Sequence, residues 1–115
     1  MKLELEARTK RFALAVITAV THLPKNKATD VIGHQLLKSG TSIGANYREA
    51  NRAASRDDFI HKLSICGKEA AETDYWIKLL IDAILSKSSR GNLQREAREL
   101  LAIFVASERT AKSRK

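Results

Sequence analysis

The chain has 115 residues, with 21 lysines and arginines against 13 aspartates and glutamates (formal charge +8), one proline, five glycines and 5% aromatic residues. That length excludes two ordinary hydrophobic cores and suffices for one, and the scarcity of breakers and aromatics excludes a β-sandwich or barrel in favour of long helices. Cys66, the lone cysteine, can form neither an internal disulfide nor a multi-thiolate metal site.

The first segment starts with acid at Glu4 and Glu6, where a signal peptide would carry an unbroken apolar stretch. No apolar run approaches the roughly 18 residues of a membrane span. The expectation is a soluble, cytoplasmic protein with no membrane partner. Leu5, Phe12, Val16, Val20 and Leu23 recur at helical spacing, and Pro24 stops the run, which predicts a first helix over about 2–22. A second, over about 28–53, follows from Ile32, Leu36, Ile43, Tyr47 and Ala50. Ser55 then offers an N-cap, with Asp57 and Asp58 in the first turn, where free backbone N–H groups favour negative charge. From there Phe59, Leu63, Cys66, Ala70, Thr73, Ile77, Leu80 and Ile84 step by three and four to predict a third helix over about 56–86. The run Ser86–Asn92 reads as a break. Leu93, Ala97, Leu100, Phe104 and Ala111 mark a fourth helix over about 92–112.

Short connections between long helices favour antiparallel neighbours. The predicted fold is therefore one all-α domain, an antiparallel up-down-up-down four-helix bundle. Leu14, Ile17, Ile65, Trp76, Leu79, Leu101 and Val105 lie off the seams, and such a surplus points to self-association; a wide core stripe is the other reading.

Within the second segment Gln35, Ser39, Ser42, Asn46 and Glu49 form one narrow polar row. Glu69 and Glu72 on the third segment are candidate acceptors for its donors. The row fits a buried network that fixes pairing, or a contact surface; no nucleophile–base–orienter set marks it as catalytic. Gly40 and Gly44 occupy another side of that helix, where a second backbone could approach closely.

The sequence contains no Glu-x-x-His pair of the kind a carboxylate-bridged metal bundle needs, and His22, His34 and His61 lack partners at ligand spacing. Cys66 reads as a small buried hydrophobe. Phosphate-cradling and dinucleotide-binding glycine motifs are missing too. The expectation is no enzyme, no cofactor and no metal.

Alternating directions would gather residues 1–12, 45–63 and 105–115 at one pole, with twelve bases and six acids. Arg8, Lys10, Arg11, Arg48, Arg52, Arg56 and Lys62 are the candidate nucleic-acid contacts there. Such a pole would attract phosphates in a salt-dependent way, though basic residues also serve plain solubility. Without an aromatic ladder or a recognition-helix motif, RNA or DNA would be bound by backbone or shape.

The stretch Gln35-Leu36-Leu37-Lys38-Ser39-Gly40-Thr41-Ser42-Ile43-Gly44-Ala45-Asn46-Tyr47-Arg48-Glu49-Ala50, with Ser55-Arg56-Asp57-Asp58-Phe59 and Lys68-Glu69-Ala70-Ala71-Glu72, resembles a four-helix-bundle family. That family includes proteins encoded in intervening sequences of bacterial 23S ribosomal RNA and the accessory variability protein of diversity-generating retroelements. The resemblance implies a homopentameric, barrel-like assembly with a basic surface; the retroelement members bind nucleic acid and a reverse transcriptase. By the same resemblance Gln35, Ser42, Asn46 and Glu49 fall on motif positions that look structural, and Arg48 and Arg52 where cations could serve nucleic acid. Ala50 stands where many members have Gly and Tyr47 where many have Ile, which marks a variant subgroup. The expected function is a non-enzymatic, homo-oligomeric nucleic-acid-associated protein, with a structural adaptor that recruits a protein partner as the alternative.

Overall fold

In a computed structural model that describes residues 2–83 and 87–114, four helices succeed one another: α1 (Lys2–Thr21), α2 (Lys27–Ala50), α3 (Arg56–Ala83) and α4 (Lys87–Ser113). They form an all-α four-helix bundle, with no strand among the described residues. The body measures 47 × 21 × 19 Å.

Local chemistry sets most of the ends. After α1, the N–H groups of His22 and Leu23 still reach the Thr18 and Val20 carbonyls, at 3.3 and 3.2 Å, before Pro24 ends the series. Asn26 caps α2: its side chain accepts from the Thr29 N–H at 3.0 Å, while the Thr29 hydroxyl accepts from the Asn26 N–H at 3.2 Å. This reciprocal box satisfies two of the donors that every helix start leaves open. The Ser55 hydroxyl accepts from the Asp58 N–H at 3.1 Å and so opens α3 as its sequence suggests.

Two boundaries differ from the sequence expectation. α2 ends at Ala50, where Arg52 and Ala53 turn back with bonds of 3.0 and 3.1 Å to the Glu49 and Ala50 carbonyls, a tighter winding than the α-helix. α4 begins at Lys87, running through residues that read as a break. Serine and glycine disfavour helix by about 1 kcal/mol or less each, too little to interrupt one that packing supports. Ile84 and the predicted end of the third helix at 86 lie outside the described residues, as does Lys115 of the basic pole.

Consecutive helices touch one another at several levels. Thr9 and Val16 of α1, and Leu23 just beyond it, lie against Gly44, Gly40 and Gly33 of α2. Ser39 of α2 meets Thr73 of α3, and Glu49 meets Lys62. Asp74 of α3 meets Gln94 and Arg98 of α4, Gly67 meets Phe104, and Arg56 meets Ala111. The core runs the length of the rod through Phe12, Val16, Leu36, Ile43, Leu63, Ile77, Leu80, Leu100 and Phe104, each at most 2% exposed. Burial of each contributes about 1.5–3 kcal/mol. Tyr47 and Phe104 pack with ring centroids 5.5 Å apart and planes tilted by 59°.

The apolar surplus splits in two. Leu14, Ile17 and Val105 are 54%, 44% and 45% exposed, whereas Ile65, Trp76, Leu79 and Leu101 are half-buried. Leu3, Val31 and Tyr75 add exposed apolar surface that the pattern alone did not single out. No helix among the described residues is long and apolar enough to cross a membrane.

Candidate functional site

Residues of all four helices line one cleft, among them Leu5 of α1, Tyr47 of α2, Phe59 of α3 and Ile103 of α4. The Asn51 amide donates to the Glu6 carboxylate at 2.7 Å, linking α1 to the residue that caps α2. The Arg56 guanidinium donates to the Ala111 carbonyl at 3.2 Å. A cation thus meets the carbonyl end of α4, where the helix dipole favours it. Buried Tyr47 lies between these links, and desolvation of the phenolate, chiefly, pushes its phenol above the usual range; the Asn51 hydrogen bond works the other way.

The candidate cations fall into two groups. Arg8 is engaged: its Nε and Nη2 donate to the two Glu96 oxygens at 2.7 Å each, and Nη2 also reaches Glu99 at 2.9 Å. Its guanidinium is held even more firmly protonated than usual, first by the Glu96 hydrogen bond. Lys62 pairs with Glu49 at 2.8 Å, which raises its pKa. Arg56 is committed to Ala111. Lys10, Arg11, Arg48 and Arg52 are exposed, and no hydrogen bond or ion pair engages their side chains among the described residues. Arg48 and Arg52 stand one turn apart at the end of α2.

The polar row behaves differently at each position. Ser39 is 2% exposed and its hydroxyl shares a 2.9 Å hydrogen bond with that of Thr73, itself 0% exposed, across the α2–α3 contact. The Ser42 hydroxyl donates within α2 to the Lys38 carbonyl at 2.6 Å, and the Asn46 amide to the Ser42 carbonyl at 2.8 Å. Glu49 reaches α3 through Lys62. Gln35 is half-buried and forms no hydrogen bond among the described residues. Glu72 accepts a 3.4 Å bond from Trp76 Nε1 of its own helix. No hydrogen bond reaches the half-buried Glu69 carboxylate among the described residues, and burial, helped by the Glu72 charge, raises its pKa. The structure therefore joins the row to α3 through Ser39 and Glu49, not through Glu69 and Glu72.

Four partners escaped the sequence reading. Thr73 looked like one more member of an apolar seam; a hydroxyl amid aliphatic residues is its only signal. Glu96 and Glu99 sit three apart on α4, a pair that invites a cation from a neighbouring helix, but nothing local names Arg8, 88 positions away. Asp74 likewise gathers Gln94 and Arg98 at 3.2 and 3.1 Å.

Cys66 is 0% exposed and burial pushes its thiol up to about 12, so it stays protonated at neutral pH and lacks the thiolate that nucleophilic attack requires. No group of three or more His, Cys, Asp or Glu among the described residues could hold a metal ion.

The fold places the chain in a class of small helical proteins, long four-helix bundles with a polar row on α2. The family profile of the 23S rRNA-intervening sequence protein matches residues 1–106, and the chain belongs to that family. It is also similar to a crystal structure from Bacteroides thetaiotaomicron VPI-5482, described as a protein with unknown function from the S23 ribosomal protein family. The two share 35% sequence identity and a TM-score of 0.85, covering 95% of this chain and 99% of that one. A comparison with curated proteins found no match.

Proposed function

We propose that the chain is a non-enzymatic, homo-oligomeric protein of the cytoplasm that binds the RNA or DNA backbone through the basic end of an antiparallel, up-down-up-down bundle. The observation that carries this reading is the contrast among the cations: Arg8 and Lys62 are neutralised by acids, whereas Lys10, Arg11, Arg48 and Arg52 are exposed and uncommitted. Cations without internal partners are free to displace counterions from a phosphate backbone. The descending contact register supports the antiparallel order. Similarity to the retroelement accessory proteins supports a pentameric, ring-like assembly and a reverse transcriptase as a protein partner.

The test is fluorescence anisotropy of labelled RNA and DNA with the wild type and with Arg48→Glu/Arg52→Glu, at about 50 and about 200 mM salt. Wild-type affinity should fall steeply between the two, and the double variant should lose binding at both while keeping its helical circular dichroism. Absence of binding at low salt, or binding indifferent to the substitutions, refutes the reading.

A second reading, a structural adaptor that recruits a protein without nucleic acid, draws on the exposed Leu14, Ile17 and Val105. It expects a stable oligomer whose size is unchanged by RNA in light scattering.

A further inference from the structure

The seam between α1 and α4 does not close. Near the basic end it opens into a groove of about 800 Å³. Buried Tyr47 and Leu63 and half-buried Leu5, Phe59 and Ile103 line it, beneath exposed Arg11 and Arg114. Glu4 is the one acidic residue of the lining. Arg8, which also borders the groove, is occupied by Glu96 and Glu99, but Arg11 and Arg114 have no acid partner among the described residues.

We propose that this groove docks an amphipathic helix of a partner protein, with its apolar stripe on the floor and acidic side chains toward Arg11 and Arg114. Dimensions and charge point to this occupant. From Ile103 to Ser113, where α4 ends, the wall runs about 15 Å at about 1.5 Å per residue, room for nearly three turns of a second helix. Such a helix presents apolar anchors at i, i+3, i+4 and i+7, which suits an apolar floor with cations on both walls. A second copy of this chain, at a formal charge of +8, brings like charge to the rim. Nucleic acid gains little from a floor whose Tyr47 ring is buried and unavailable for stacking. The inference shares only Arg11 with the nucleic-acid reading and is measured separately from it.

The experiment titrates the full chain into a fluorescein-labelled fourteen-residue peptide with leucines at the three–four spacing flanked by glutamates, and into its lysine-for-glutamate counterpart. Anisotropy should show saturable binding of the acidic peptide at least tenfold tighter than of the basic one. Ala106 is exposed on the groove wall, and Ala106→Glu should weaken binding at least tenfold with an unchanged protomer number. Arg11→Glu/Arg114→Glu, confined to two exposed side chains, should do the same and serves if Ala106→Glu does not fold. No saturable binding, equal binding of both peptides, or undiminished binding by the variants overturns the proposal. A change of protomer number in Ala106→Glu also overturns it, because the groove would then be filled by a second copy.

Discussion

Gly40 of α2 lies so close to Val16 of α1 that a Cβ on it would come within 2.8 Å of Val16 Cγ2 and 3.0 Å of Cγ1. Val16 is fully buried and, being β-branched, has one strongly preferred rotamer in a helix, so it cannot yield. The glycine that disfavours helix locally is what lets the two backbones approach.

Gly40→Ala should therefore destabilise. Overpacking costs about 1–3 kcal/mol and outweighs the roughly 1 kcal/mol gained in helix propensity. At Gly91 a Cβ meets nothing within 4 Å, and Gly91→Ala should stabilise by up to about 1 kcal/mol. Denaturant unfolding of both variants checks the opposite signs; equal effects would show that the α1–α2 contact is looser than described.

The Ser39–Thr73 bond predicts energetic coupling. Ser39→Ala and Thr73→Val each leave a buried hydroxyl short of a partner and should cost about 1–2 kcal/mol. The double variant should cost less than the sum, with a coupling of at least about 0.5 kcal/mol. A double-mutant cycle by chemical denaturation reads this directly, and strict additivity would deny the bond.

Glu69 should act as a stability cost that acid removes. Its raised pKa means that the folded chain holds this proton more tightly than the unfolded chain does. Its contribution is thus favourable at low pH and lost as pH rises through the folded-state value. Glu69→Gln should raise the melting temperature at pH 7, and the gain should shrink toward zero below the ordinary carboxyl value of 4.5. A gain that persists unchanged in acid would assign the effect to packing.

Cys66 and Tyr47 make the fold sensitive to alkali. Both ionise less readily folded than unfolded, the thiol moving from 9.0 to about 12 and the phenol rising from 10.0. The unfolded chain therefore releases protons first, and stability should fall above pH 9, by up to about 1.4 kcal/mol per pH unit for each group. Cys66→Ala should flatten the first part of that decline. In the native state at pH 7, iodoacetamide should leave Cys66 unmodified until denaturant is added, and prompt alkylation would contradict its burial.

Helical periodicity, the Ser55 cap, the Pro24 stop and the core positions from Phe12 to Phe104 were legible in the chain, because each depends on neighbours within a turn or two. The basic end that we propose rests on segment lengths and short connections. The paired or free state of each cation was not legible. Arg8 meets Glu96, while Arg11, three residues on, meets no acid among the described residues, and that difference depends on how far α1 is rotated and set apart from α4. The same rotation leaves the groove open, brings Thr73 rather than Glu69 to Ser39, and keeps Leu14 and Ile17 outside. A repeat of about 100° per residue tells which side chains share a face. Which faces meet, and how closely, is settled by side chains of four helices packing at once, a contest no single segment encodes.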